Sequence, residues 1–190
     1  MQRIPAPNIA PRWLPKHRLI GHPVPARVAP WLFDSGSLTS RLIAHCAGRF
    51  HVRVLSQGWQ RPTREETRRL GMRAGRVALV REVLLYCDET PLVFARSVIP
   101  RRTLTGRQKY LGTLGNRPLG AALFSDPSMR RDELEVACLR GAVALYPALG
   151  SVDISGECVW GRRSVFRVGG KPLLVAEMFL PRLLADDVPP

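Results

Sequence analysis

Hydrophobic and polar positions alternate most clearly in VALVREVLLYC (77–87), where Val77, Leu79, Arg81, Val83 and Leu85 fall on one face of an extended chain. A second run, LVFARSVI (92–99), follows the turn-forming Asp88-Glu89-Thr90-Pro91, and the two read as a hairpin. Near the C-terminus WGRRSVFRVGG (160–170) reads as a strand entering a Gly-Gly turn. The run that follows, KPLLVAEMFLP (171–181), is apolar on both faces: Leu173, Val175, Glu177 and Phe179 share one, Leu174, Ala176, Met178 and Leu180 the other. Residues 50–59 also alternate like a strand.

Helical signals lie between these strands. Ser37 or Thr39 can cap a helix carrying Leu38, Leu42, Ile43 and Cys46, with Gly48 near its end. Thr63 followed by Glu66 matches a capping box and opens a short charged helix that Gly71 would stop. Residues 103–110 read as helical, and Pro118 suits the first turn of another helix through Phe124. Residues 130–159 fit strand and helix by turns. Residues 1–30, punctuated by prolines, read as a basic arm that lies extended on the domain or is partly disordered. The pattern predicts one α+β domain over 31–190, a mostly antiparallel sheet with helices on one face.

Three charges interrupt apolar stripes. Glu177 and Arg81 each need solvent or a polar partner, because burying a bare charge is costly. Two explanations stand equally: a structural ion pair, or a pocket whose ligand is anionic at one end and hydroxylic at the other. Arg96 falls on the face of Leu92, Phe94 and Val98, and is a third pocket candidate unless it is an edge residue facing solvent.

Composition narrows the classes. The 190 residues suit one domain with a real core, and no 18-residue apolar stretch is present to span a membrane. The basic N-terminal region lacks the apolar segment of a signal peptide, so a cytoplasmic protein is expected. Cys46, Cys87, Cys138 and Cys158 are widely separated without ligand spacing, which argues against a zinc site and against a small stapled fold. Cys46 and Cys87 fall on apolar patterns and read as small buried hydrophobes. Net charge is +14, from 29 basic and 15 acidic residues. That balance is compatible with nucleic acid, yet no helix-turn-helix, zinc-finger or RNP-type signature accompanies it. It points equally to a small dianion drawn in by a positive field. Glycine-rich phosphate loops and a G-x-S-x-G elbow are absent from the sequence.

Six pieces occur together in one order: GSLT (36–39), VREVLL (80–85), RSVIP (96–100), LGNRPLGAALF (114–124), WGRRSVF (160–166) and GKPLLVAEMFLP (170–181). From about Trp31 to Pro181 the chain thereby resembles the chorismate pyruvate-lyase family. The resemblance implies a single-domain antiparallel sheet whose ligand is enclosed beneath helical flaps. It implies elimination of pyruvate from chorismate to leave 4-hydroxybenzoate, the entry step to the ubiquinone head group, with no metal or organic cofactor. It assigns Arg81 to the aromatic carboxylate and Glu177 to the para hydroxyl. Glu177 can serve there as hydrogen-bond partner or as general base, and the first is favoured because proton transfer within the substrate to the departing enolpyruvyl group needs no enzymic base. Leu38 and Leu119 become ligand contacts through backbone groups and apolar packing. For the enolpyruvyl carboxylate, face alternation favours Arg96, with Arg162 and Arg163 as weaker candidates.

The implied partners are chorismate, 4-hydroxybenzoate and pyruvate, with no nucleic acid, no membrane span and a monomeric state. Two features depart from the family pattern: a longer segment between Glu135 and Trp160, and leucine at position 38 where methionine is also familiar. The competing reading is a ligand-sensing domain of similar fold from a bacterial transcription regulator, although only about 30 residues precede the shared region, too few for a winged helix. A basic nucleic-acid module rests on net charge alone.

Overall fold

The alternating stretches pair edge to edge into one antiparallel sheet in a computed structural model that describes residues 11–19, 23–46, 49–142, 146–152, 154 and 158–185. Its strands are β1 (Leu14–Pro15), β2 (Phe50–Gln60), β3 (Ala78–Cys87), β4 (Thr90–Pro100), β5 (Arg130–Arg131), β6 (Glu135–Leu139), β7 (Val159–Val168) and β8 (Lys171–Phe179). They run in the order β1-β6-β7-β8-β4-β3-β2, with β5 pairing β7 beside that path. Residues 14 and 15, within the proline-rich arm, thus form an edge strand against Val136 and Glu135.

Two tight turns set the register. The β7–β8 hairpin closes through Gly169 and Gly170 at φ of 58° and 76°, left-handed values that glycine adopts without a Cβ penalty. The β3–β4 hairpin turns at Asp88, also left-handed at 49°. One residue further into this hairpin the pairing slips: Tyr86 faces Pro91 but Leu85 faces Val93, leaving Leu92 as a bulge.

The helices are α1 (Ala29–Leu32), α2 (Leu38–His45), α3 (Arg64–Arg69) and α4 (Leu119–Phe124). Ser37 caps α2 by accepting from the Ser40 amide, and Thr63 with Glu66 forms the expected capping box on α3. Pro118 sits immediately before α4. The helix expected at 103–110 is instead a 3-10 stretch, Gly106–Gly112. The proposed stop of α2 at Gly48 lies outside the described residues. The ambiguous 130–159 region supplies β5, β6 and a 3-10 turn at Pro147–Ser151.

The sheet separates two cores. On the front face Val83, Leu85, Val93 and Phe179 pack against Trp31, Leu38 and Leu42, while Leu79, Ile99, Phe166 and Val175 pack against Leu119 and Leu123. The two loop-and-helix segments holding α2 and α4 therefore roof this face. On the back, Leu84, Phe94, Ala176 and Met178 form one cluster and Ala78, Val80, Val98, Val165 and Leu174 another. Cys46 is buried in the front core with Cys87 beside it, and burial together with Cys87 pushes its thiol up to about 12. Cys138 and Cys158 are joined as a disulfide between β6 and the approach to β7, a link the spacing of the cysteines did not reveal.

Candidate functional site

Cross-strand register defines the front face. Arg81 on β3 stands opposite Ser97 on β4, which faces Val175 on β8, which faces Ser164 on β7. The next row on the same face is Val83, Ala95, Glu177 and Arg162. Arg81 and Glu177 are therefore two strands and one row apart. At about 4.8 Å between strands and about 3.4 Å per residue, their Cα atoms lie roughly 12 Å apart, enough to seat an aromatic ring between the side chains.

Arg81 is only 2% exposed and has no carboxylate partner among the described residues. Its Nη2 donates to the carbonyl oxygens of Gly115 at 2.9 Å and Arg117 at 3.1 Å, tying down the loop that leads into α4. Its Nε is buried without a partner among the described residues. Burial pulls the guanidinium below its usual pKa, because the charge has left water without gaining an acid. A buried cation in this state has the charge to pair with an anion.

Glu177 has a partner, and it is Arg162. The two are directly opposite in the β7–β8 ladder, and Arg162 Nε donates to Glu177 Oε2 at 2.6 Å. Arg162 Nη1 donates to the carbonyl oxygens of Trp31 and Asp34, each at 2.8 Å, so one arginine fixes both the glutamate and the segment ahead of α2. Burial raises the Asp34 carboxyl, but the Gly36 amide, the Arg41 hydrogen bond and the charges of Arg41 and Arg162 together bring it below the usual carboxylate value. Gly36, Leu38, Gly120, Leu123, Phe124, Arg131, Arg162, Phe166, Val175 and Glu177 line a small cavity of about 20 Å³. Its roof is tight: a Cβ on Gly120 would stand 2.7 Å from Thr39 Oγ1, so α2 and α4 meet at their first turns. Leu119 is buried beside Leu79 and Val175 on the same face.

The fold thus gathers Arg81, Glu177, Leu38 and Leu119 on one face and does not bring Arg96 to them. Arg96 lies opposite Glu82 and Ala176 on the back face. Its Nε and Nη2 reach Glu66 at 2.8 and 3.1 Å, and Nη1 reaches Glu82 at 2.7 Å. The expectation for Arg96 fails because of the Leu92 bulge. Leu92 belongs to the front core, and every β4 residue after it is reversed relative to uninterrupted alternation, so Phe94, Arg96 and Val98 point backward. Arg163 faces backward too, bonded to Glu65 and Glu135, where α3 covers the sheet. Of the consecutive arginines in WGRRSVF, one serves each face.

Sequence reasoning missed the Arg162–Glu177 pairing. The signal was present: a two-residue Gly-Gly turn fixes the register, and counting back from it sets position 162 against 177. Arg131, at the cavity wall, had no such signal, because its neighbours come from loops distant in sequence.

A buried antiparallel sheet roofed on its front face by the segments holding α2 and α4 defines a class of single-domain α+β folds. The C-terminal domain of a histidine utilization repressor from Pseudomonas syringae superposes with a TM-score of 0.52 at 15% identity, covering 70% of this chain and 93% of that one. A GntR-family transcriptional regulator from Bacillus cereus gives 0.50 at 11% identity, covering 70% and 93%. These likenesses concern the fold. Within that class the chain belongs to the chorismate lyase family, which it matches over residues 10–188. Similar proteins, each named "Probable chorismate pyruvate-lyase", include one from Aromatoleum aromaticum, 45% identical over 164 residues, covering 85% of this chain and 88% of the relative. One from Methylococcus capsulatus is 48% identical over 155 residues (82% and 95%), and one from an Azoarcus species 49% over 168 residues (85% and 88%).

Proposed function

We propose that this protein is a chorismate pyruvate-lyase, converting chorismate to 4-hydroxybenzoate and pyruvate. The observation that carries the reading is Arg81: a fully buried guanidinium with no acid partner among the described residues, on the same sheet face as Glu177 and two strands away from it. In this reading Arg81 holds the ring carboxylate with its planar fork. Glu177, with Oε2 engaged by Arg162, accepts the hydrogen bond of the ring hydroxyl through its other oxygen. Leu38 and Leu119 close the apolar walls and present backbone groups at the starts of α2 and α4.

The reaction breaks the bond between ring carbon and ether oxygen. The hydrogen on the adjacent, hydroxyl-bearing carbon leaves the ring, the ring becomes aromatic, and that hydrogen's transfer to the enolpyruvyl methylene completes pyruvate. No electrons are exchanged with an outside acceptor. Aromatisation supplies much of the driving force, so the protein's task is to hold the ether side chain over the ring and stabilise charge on the departing oxygen. We take the reaction to need no metal or organic cofactor, the product to enter ubiquinone synthesis, and the enzyme to act in the cytoplasm as a monomer without nucleic acid. The +14 net charge then serves to draw in a dianion. No helix among the described residues is long and apolar enough to cross a membrane.

The test is to incubate the purified protein with chorismate in chelator-treated buffer and quantify products. Equal amounts of 4-hydroxybenzoate and pyruvate are expected. Binding of chorismate without turnover would favour the ligand-sensing alternative, and formation of 3-hydroxybenzoate would redirect the reading to another chorismate-processing activity.

A further inference from the structure

Of four buried or half-buried arginines on or beside the central strands, three are committed: Arg162 to Glu177 on the front face, and on the back Arg163 to Glu65 and Glu135 and Arg96 to Glu66 and Glu82. Arg131 is the fourth and pairs with no carboxylate among the described residues. It extends from β5, opposite Phe166, with its guanidinium 5.2 Å from that ring's centre. Nε donates to Ser164 Oγ at 3.0 Å, and Nη1 approaches the carbonyl oxygens of Ser35 and Asp34 at 3.3 and 3.5 Å. Nη2 makes no hydrogen bond among the described residues. The side chain forms the cavity wall beside Glu177 and Val175.

Resting on the chorismate reading, we propose that Arg131 receives the enolpyruvyl carboxylate of the substrate. The argument is one of charge and connectivity. Chorismate carries two carboxylates, and among the described residues the front face holds two buried or half-buried guanidiniums without an acid, Arg81 and Arg131. The ring carboxylate and the ring hydroxyl are para, so they span the distance from Arg81 to Glu177. The ether is borne by the carbon next to the hydroxyl-bearing one. Its carboxylate therefore lies at the Glu177 end, where Arg131 and Glu177 share one cavity wall, and away from Arg81. The assignment also separates substrate from product: 4-hydroxybenzoate has lost the group that Arg131 binds, while it keeps both groups bound by Arg81 and Glu177.

This separation gives the test. In Arg131→Gln, kcat/KM for chorismate falls ~100-fold, the loss expected when a charge-assisted contact to a carboxylate is removed, while the Kd for 4-hydroxybenzoate stays within about threefold of the parent. Arg131→Lys, which keeps the charge without the fork, falls ~10-fold with the same unchanged product affinity; it carries the comparison if the glutamine variant does not fold. Turnover of Arg131→Gln within about threefold of the parent overturns the proposal. Equal losses of chorismate turnover and 4-hydroxybenzoate affinity overturn it as well, since they mark a structural support for the Asp34–Ser35 segment. A parent protein that leaves chorismate unchanged overturns this inference and the functional reading together, whereas normal parental turnover with an unaffected variant overturns the inference alone.

Discussion

Arg162 Nε and Glu177 Oε2 stand 2.6 Å apart across the β7–β8 ladder, with the arginine side chain 1% and the glutamate 18% exposed. This pair is why a carboxylate is tolerated in one of the most apolar runs of the chain. It also orients Glu177: one oxygen is held by a fully buried cation, and the residue lines the small cavity beneath α2 and α4. Of the two explanations for a charge in that strand, the ion pair is the one observed, with Arg162 as the partner.

Glu177→Gln leaves Arg162 buried and without its acid. Loss of one partner from such a pair costs about 3 kcal/mol, which corresponds to a drop in Tm of roughly 6–12 °C for a chain of this size. Thermal melts with and without 4-hydroxybenzoate measure both the loss and the weakened ligand stabilisation. Unchanged Tm would mean the pair is not maintained in solution.

Arg81→Lys keeps a cation but loses the planar fork and the paired contacts to the Gly115 and Arg117 carbonyls. We expect a folded protein whose kcat/KM and 4-hydroxybenzoate affinity both decline ~100-fold, in contrast to the Arg131 variants. Calorimetric titration alongside steady-state kinetics separates the two patterns.

Arg96→Ala removes the cation shared by Glu66 and Glu82, whose side chains are 8% and 12% exposed. The expected cost is ~3–5 kcal/mol of stability, because two carboxylates are left buried. Below its melting temperature the variant should keep the parental KM for chorismate, since Arg96 faces away from the cavity. A raised KM at full foldedness would return Arg96 to the pocket.

Gly120→Ala sets a methyl group 2.7 Å from Thr39 Oγ1, so either the Thr39 side chain rotates or α2 and α4 move apart. If these segments gate the cavity, 4-hydroxybenzoate dissociates ~10-fold faster, and Thr39→Gly in the same chain restores the slow rate. Stopped-flow displacement of product reads both rates.

Acid sensitivity follows from the back-face network. Burial raises Glu66, but hydrogen bonding and charge from Arg96, with the Thr63 contacts, bring it below its ordinary 4.5. A carboxyl depressed in the folded state adds stability that is full above its unfolded pKa and is lost as pH falls through the folded value. Asp34, depressed from 3.8, has the same sign. Urea midpoints should be flat from neutral pH to about 5 and decline below about 4.5; equal midpoints at pH 7 and pH 3 would refute this account.

Local chemistry alone determined much of this protein. The Gly169-Gly170 and Asp88 turns, the Thr63–Glu66 capping box and the period-two runs of β3, β7 and β8 depend on neighbours a few residues apart, so the sequence specifies them directly. The combined motifs likewise revealed the family, and they singled out Arg81 and Glu177 as charges in apolar stripes. Tertiary structure decided which way the remaining arginines point and what meets them. A bulge of one residue at Leu92 turned Arg96 to the back, and α3 arrived there with two glutamates to receive Arg96 and Arg163. Arg131 met the cavity only because β5 pairs with β7 and the Asp34–Ser35 segment folds over it. Strand alternation has a period of two, so a single inserted residue inverts every later side chain, and the groups that then neutralise a charge come from segments whose approach only the whole fold sets.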